Sequence, residues 1–337
     1  MALLETMTPD TSCGTVRADR ALSRIHRLEF DVPWPPKHVA AYLLEGPEPI
    51  LIDAGAPEKA GESELREGLA EFDYEPTDIE HVLVTHIHSD HIGQLPALRE
   101  AGATVHAPRA GLDRLERDLE AVRAGLRETA KSAGYRGDDR DEIVAEELES
   151  RRRDRRLVDP ETARAVDPTG PVTVGDREFG VFETPGHEID HLCYETTIEG
   201  TTVLFAGDAL IESFRAGAFH VGFDRGAYEG VERYYEAMER LSETAATHAF
   251  PGHGPVFENP RRVVDMTRER LDALLEETVT ALEAIEPATP VAIAEERVGD
   301  IRYHAPVLDT LGALGTLEKQ CSASYEVDDG VRYYETE

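Results

Sequence analysis

The sequence predicts an α+β fold of sheets covered by helices, and three observations lead there. Short apolar strands open the chain, a helix interrupts them, and more strands and a further helix follow. Motifs rich in histidine and aspartate stand directly after four of those strands. Residues 108–157 carry helical rather than strand periodicity, and the last part of the chain reads as helices followed by a hairpin signal.

The elements follow in order. "RIHRLEFDV", "HVAAYLLEG" and "PILIDAG" read as strands. Leu65, Leu69 and Phe72 set a helix within residues 58–72. "EHVLVT" is a short apolar strand, Ile92, Leu95 and Leu98 mark a helix beyond it, and "ATVHAP" is another strand. In the insertion, about 108–157, Leu112, Leu115, Leu119, Val122 and Leu126 share one helical face. Ile143, Val144, Glu147 and Leu148 share another, with "SAGYRGDD" as the break between them. The run "RRRDRR" at 151–156 closes it. Glu147 with Arg151 and Glu149 with Arg153 stand at i,i+4, the spacing of a solvated helix face, and that reading outweighs a contact for an anionic substrate. Strands resume with "PVTVGD", "REFGVFETP", "HLCYETTIEG" and "TTVLFAGD". Gly230 to Leu241 reads as a helix, and "ATHAFPGHG" as a last strand and loop.

A boundary falls near residue 259, where Asn259 and Pro260 form a helix start signal. Leu271, Leu275, Leu282 and Ile285 stripe that helix, and Pro287 stops it. Thr289-Pro290 starts a second helix and Gly299 ends it. Val307, Leu308, Leu311 and Leu314 mark a third, and Asp329-Gly330 turns a terminal hairpin. The division expected is a flexible tail at 1–20, a catalytic domain at 21–258 and a winged-helix-like domain at 259–337.

Composition narrows the function classes. Lys and Arg total 35 against 68 Asp and Glu, a formal charge of −33. The acids are spread along the chain, and only four of the basic residues are lysines (Lys37, Lys59, Lys131, Lys319). Uniform acid on a foldable chain works as a solubility device screened by salt. The composition resembles that of proteins from salt-loving archaea that accumulate salt internally. It disfavours nucleic-acid binding through a broad basic face. No apolar run approaches the roughly 20 residues of a membrane helix, and the start of the chain lacks a signal-peptide core, so no membrane contact and a cytoplasmic location are expected. Cys13, Cys193 and Cys321 are scattered and odd in number, against a disulfide framework.

The stretch "LVTHIHSDHIGQ" puts His86, His88, Asp90 and His91 within six positions. One histidine is ordinarily a satisfied polar residue; four candidate ligands at H-x-H-x-D-H spacing are not explained that way. "FETPGH" adds His187, "LFAGD" adds Asp208 and "AFPGHG" adds His253. Each stands after a short strand and directly after a glycine, which permits a sharp turn and close approach. Four strand ends presenting ligands are expected to converge on one sheet edge. His26, His38, His81, His106, His248 and His304 lack this context. Mixed imidazole and carboxylate donors suit two divalent metal ions, zinc first, with iron and manganese as alternatives.

The set H-x-H-x-D-H, T-P-G-H, A-G-D and P-G-H-G resembles the metallo-β-lactamase superfamily over roughly residues 24–258. The resemblance implies a four-layer αββα sandwich with the metals at one edge. Carried across, His86, His88 and His187 hold the first metal, Asp90, His91 and His253 the second, and Asp208 bridges both. Asp90 and Asp208 are the expected catalytic residues, with Asp90 handling a proton. Asp53 of "LIDAG" is expected beside the ligands, and His191 as a structural neighbour rather than a ligand.

The resemblance also implies a reaction class. True metallo-β-lactamases generally lack the bridging aspartate, so Asp208 points toward glyoxalase II-like hydrolases, and "TPGHEIDH" looks like their T-P-G-H-x-x-x-H, with Glu188-Ile189-Asp190 an unusual spacer. The expectation is a hydroxide activated by the two metals and a small thioester, ester or lactone as substrate. The alternative is a ribonuclease on single-stranded RNA, drawing on residues 151–156, Arg261, Arg262, Tyr234 and Tyr235. Sequence-specific DNA reading is not expected, since the third tail helix offers only Lys319. The tail is expected to pack on the catalytic domain or in a homodimer. Trp34, His38, Phe214, Arg215 and His220 are rim candidates.

Overall fold

The computed structural model describes residues 20–57 and 59–337. The expected N-terminal tail, with Cys13, lies outside them but for Arg20. The first sheet runs β1 (Ile25–Asp31), β2 (His38–Leu44), β3 (Ile50–Ile52), β4 (His81–Leu83), β5 (Thr104–Pro108) and β6 (Arg164–Val166), in that spatial order. Its first three strands are antiparallel and the rest pair in parallel. The second sheet holds β7 (Val172–Val174), β8 (Arg177–Glu183), β9 (Leu192–Ile198), β10 (Thr201–Gly207), β11 (His248–Pro251) and β12 (Phe257–Glu258), ordered β12-β11-β10-β9-β8-β7. The sequence marked most of these strands; β6 and β12, three and two residues long, were too short to show a pattern.

Three apolar layers hold the sheets. Tyr42, Leu44, Ile52 and Leu83 of the first sheet meet Phe179, Tyr194, Phe205 and Phe250 of the second. The outer face of the first sheet is covered by α1 (Lys59–Ala70), α3 (Leu95–Ala101) and α4 (Arg109–Glu116), through Leu65, Leu69, Leu98 and Leu112; the short α2 (Ser89–Ile92) carries part of the motif. The outer face of the second is covered by α7 (Gly230–Leu241) and α8 (Pro260–Ile285), through Tyr234, Met238 and Leu271. This is the αββα sandwich that the family resemblance implies.

The insertion is α4, α5 (Leu119–Ala133) and α6 (Gly137–Val158), broken where Asp118 caps α5 by accepting from Ala121 N at 2.9 Å. Its Val122, Leu126, Ile143 and Leu148 pack on Phe223 and on Val307 and Leu311 of the C-terminal helices. Those helices are α8, α9 (Pro290–Val298) and α10 (Ala305–Lys319), followed by the hairpin β13 (Ala323–Asp328) and β14 (Val331–Thr336). Thr289 caps α9 as its sequence suggests, accepting from Ala292 N. Asn259 stands at the start of α8 but in a left-handed conformation, with no side-chain cap bond. Helix α10 is buried through most of its length against α7 and α8. No helix among the described residues is long and apolar enough to cross a membrane.

Candidate metal centre

The H-x-H-x-D-H motif leaves β4 and runs into α2, while His187, Asp208 and His253 stand just beyond β8, β10 and β11. The structure brings all seven side chains together. Donor atoms of His86, His88 and His187 form one group, and those of Asp90, His91 and His253 another, each within 4.8 Å; His86, His91 and Asp208 form a third that joins them. Asp208 Oδ1 lies 3.4 Å from His91 Nε2, and its Oδ2 lies 3.4 Å from His187 Nε2 and 3.3 Å from His253 Nε2. Asp90 Oδ2 is 3.6 Å from His253 Nε2. Close packing of these strand ends depends on Gly252, where a Cβ would lie 2.4 Å from Asp208 Oδ1 and 2.5 Å from His91 Cε1.

The tautomers test whether these residues fit metals. His187 Nδ1–H donates to Gly217 O at 2.9 Å, His253 Nδ1–H to His38 O at 2.6 Å and His91 Nδ1–H to Asp53 Oδ2 at 2.9 Å. Thr85 Oγ1 spends its proton on Asp53 Oδ2 at 2.8 Å and so accepts from His86 Nδ1–H at 3.0 Å. His88 is turned the other way: its Nε2–H donates to Glu188 Oε1 at 2.8 Å. Every ring therefore presents a bare nitrogen inward. His88 Nδ1 faces both His86 Nε2 and His187 Nε2 at 3.1 Å. Lone pairs so disposed repel unless a cation sits among them. The edge of a zinc tetrahedron with nitrogen ligands is about 3.3 Å, from bonds of about 2.05 Å. His91 Nε2 and Asp208 Oδ1 are buried and make no hydrogen bond. The donor set fits divalent metals.

Burial sets two of the rings as neutral donors. Burial pushes His86 far below its ordinary pKa and His187 down to about 4, so both stay neutral. Burial opposes charge on His91, His253 and Asp208 alike, yet Asp208 raises the pKa of both rings and they hold its carboxyl well below the usual range, so this carboxylate calls for a cation among the rings. Asp53, with φ of +59°, also accepts from Thr85 N at 2.7 Å, so one carboxylate orients both His86 and His91. His191 is no ligand: its Nε2 accepts from Asp208 N at 3.0 Å, and its Nδ1 meets Thr184 Oγ1 at 2.7 Å.

The chain belongs to the metallo-β-lactamase superfamily. The sequence model described as Metallo-beta-lactamase superfamily matches residues 34–253. The chain is 25% identical to a probable metallo-hydrolase, YqjP, of Bacillus subtilis, over 92% of this chain and 97% of that one. It is 26% identical to a hydroxyacylglutathione hydrolase of Chromohalobacter salexigens, over 81% and 86%. It spans 63% of the length of lactamase-like protein vrtG from Penicillium aethiopicum, at 25% identity over 77% of this chain. The crystal structure of the metallo-beta-lactamase family protein TTHA1429 from Thermus thermophilus superposes with a TM-score of 0.78 at 22% identity, over 94% of this chain and 99% of that one, a likeness of fold. The protein is a metal-dependent hydrolase.

Other sequence expectations are relocated. Arg215 does not line a rim: it pairs with Asp309 of α10 through two bonds of 3.2 and 2.8 Å, both side chains nearly buried. His38 braces the His253 loop, its Nε2 accepting from Gly254 N at 3.0 Å. His220 is buried, and its N–H donates to His187 O at 2.8 Å. Trp34 packs partly buried on the outer layer of the first sheet, and Phe214 is half-buried on the loop after Asp208. The run at 151–156 is not one solvated face. Arg151 turns inward to Arg114 O at 2.7 Å and toward Asp224, while Glu149 meets Arg152 and Arg156 rather than Arg153. Tyr234 is wholly buried, and Tyr235 donates to Asp272 at 2.6 Å. Arg261 donates to Thr244 O, and Arg262 pairs with Glu212.

Sequence reasoning missed Phe219, Arg114 and the part played by Glu188. The Phe219 ring lies 5.2 Å from that of His187 and 6.0 Å from that of His88, an apolar wall at the first group. Glu188 and Asp190 were visible only as an unusual spacer.

Proposed function

We propose that the protein is a binuclear hydrolase of small thioesters, esters or lactones. The observation that carries this reading is Asp208, whose two oxygens face histidines of both groups at 3.3–3.4 Å, as a bridging carboxylate would. His86, His88 and His187 would hold one metal and Asp90, His91 and His253 the other, zinc suiting the donors best. When bound, the pair lowers the pKa of water to about 7 and polarises the carbonyl under attack.

The protein's own residues do the rest. The Asp53, Gly217, His38 and Glu188 contacts, with Thr85 relaying Asp53 to His86, hold each imidazole in one tautomer, so no reorganisation is needed on substrate arrival. Asp90 sits in the second group with its Oδ2 turned to His253. Its carboxylate takes the proton of the attacking water and returns it to the leaving thiolate or alkoxide, as the acyl carbon–sulfur or carbon–oxygen bond breaks. His88, its side chain 27% exposed against 0–7% for His86, His91, His187 and His253, marks the open side. There Phe219 offers an apolar surface to an acyl chain.

The inward turn of Arg151 and the acid excess support a small substrate over RNA. A relative named hydroxyacylglutathione hydrolase supports a thioester. The test is turnover at high salt by metal-loaded protein, on acyl thioesters and lactones in one arm and labelled single-stranded RNA in the other, with Asp208→Ala as control. Ester turnover lost in the variant supports the proposal. RNA cleavage lost in the variant, without ester turnover, replaces it.

A further inference from the structure

We propose that Glu188 is a positioning residue for His88 and that Arg114, from the inserted helices, locks Glu188 in place. The insertion then sets the geometry of one metal position. This rests on the reading of His86, His88 and His187 as metal ligands.

His88 is the one ring of the five that points Nδ1 inward. Such a turn needs a partner for Nε2 on the far side, and Glu188 supplies it at 2.8 Å. Glu188 is only 3% exposed, so its second oxygen needs a partner too. Arg114, in the last turn of α4, donates to that oxygen. Arg114 is fixed in turn, its carbonyl accepting from Arg151 of α6 at 2.7 Å.

A second contact grips the same turn of chain. Asp190 Oδ2 accepts from Ile87 N, between the two histidines, at 3.1 Å. Helix α4 approaches Asp190 closely enough that a Cβ on Gly111 would lie 2.3 Å from that oxygen. Beside Ile87 of that turn lies a cavity of about 20 Å³, bordered by Leu115 and by the polar Arg114, Glu147, Arg151 and Asp190. Glu188 and Asp190 thus connect the H-x-H turn to helices that lie outside the two sheets. A carboxylate on the far nitrogen of a ligating histidine fixes its ring and strengthens it as a donor, and loss of such a partner typically weakens metal binding about 10–100-fold.

The experiment measures zinc affinity by chelator competition and zinc content by elemental analysis on the full chain, with cobalt(II) absorption reporting ligand geometry. Glu188→Gln keeps size and burial, and circular dichroism checks its fold. The result expected is one metal of two bound about 10–100-fold more weakly, the other unchanged, with an altered cobalt spectrum. Arg114→Met shifts the same metal by a smaller factor. In a His88→Ala background, Glu188→Gln adds no further loss, since its effect runs through that ring. Unchanged affinity and spectrum in Glu188→Gln, or losses that add to those of His88→Ala, overturn the proposal. A wild-type protein that binds fewer than two metals fails the binuclear reading instead, and the two failures are distinguishable.

Discussion

Replacing Asp309 with alanine probes the joint between the C-terminal helices and the metal site. Asp309 accepts from both terminal guanidinium nitrogens of Arg215 and also from Ala218 N at 2.7 Å. The side chains of the pair are 10% and 14% exposed. Removing one partner of a buried ion pair costs about 3–5 kcal/mol, because the other charge is left without compensation. Arg215 keeps its bond to Ala216 O at 2.6 Å and a little solvent, which places the cost near the lower end, about 3 kcal/mol. The loss reaches the site, since Gly217, next to Ala218, accepts from His187. The assay is urea unfolding in high potassium chloride, followed by fluorescence and circular dichroism together, with metal content measured on the same samples. A double variant, Arg215→Met with Asp309→Leu, recovers most of the stability because it buries no unpaired charge. A loss under about 0.5 kcal/mol in Asp309→Ala would falsify the claim that the pair is desolvated. A double variant as unstable as the single one would locate the cost in the Ala218 bond instead.

Three further outcomes are expected. Asp208→Ala loses metal and drops turnover by orders of magnitude, and full occupancy with unchanged rate would remove Asp208 from the centre. Burial pushes His106 down to about 4, with His81 and Arg164 adding to it, so it is neutral in the fold; its stability contribution is complete above about pH 6.5 and is lost as pH falls toward 4, where the unfolded chain takes the proton first. His106→Gln should flatten that fall in a comparison of unfolding midpoints, and parallel curves would refute the assignment. With a formal charge of −33, the melting temperature should rise with potassium chloride, and a flat response would mean that self-repulsion does not limit stability.

Much of the candidate centre was legible because its donor residues are local or punctuated. His86, His88, Asp90 and His91 fall within one turn of chain, and His187, Asp208 and His253 each follow a strand and a glycine. The strands were legible because apolar runs bounded by turns allow few other readings. The places of Arg215 and His38, rim candidates by sequence, were not legible for the opposite reason. Arg215 stands on the loop after Asp208 and His38 opens β2, and nothing near either in sequence shows that Asp309 or Gly254 will meet them. The i,i+4 pairing expected for Arg151 failed because helix periodicity tells which residues share a face but not which face is covered.

By itself, then, the sequence determined most strands and helices, the seven side chains that cluster and the family, because each is written in residue type at short spacing. Only tertiary structure decided which nitrogen each histidine presents, that Asp208 faces both groups, and that Glu188 ties His88 to Arg114, which stands 74 positions away along the chain. Those facts depend on contacts between segments far apart in sequence, and such contacts are selected by packing the whole chain, where a buried charge or ring nitrogen must find a partner wherever the fold supplies one.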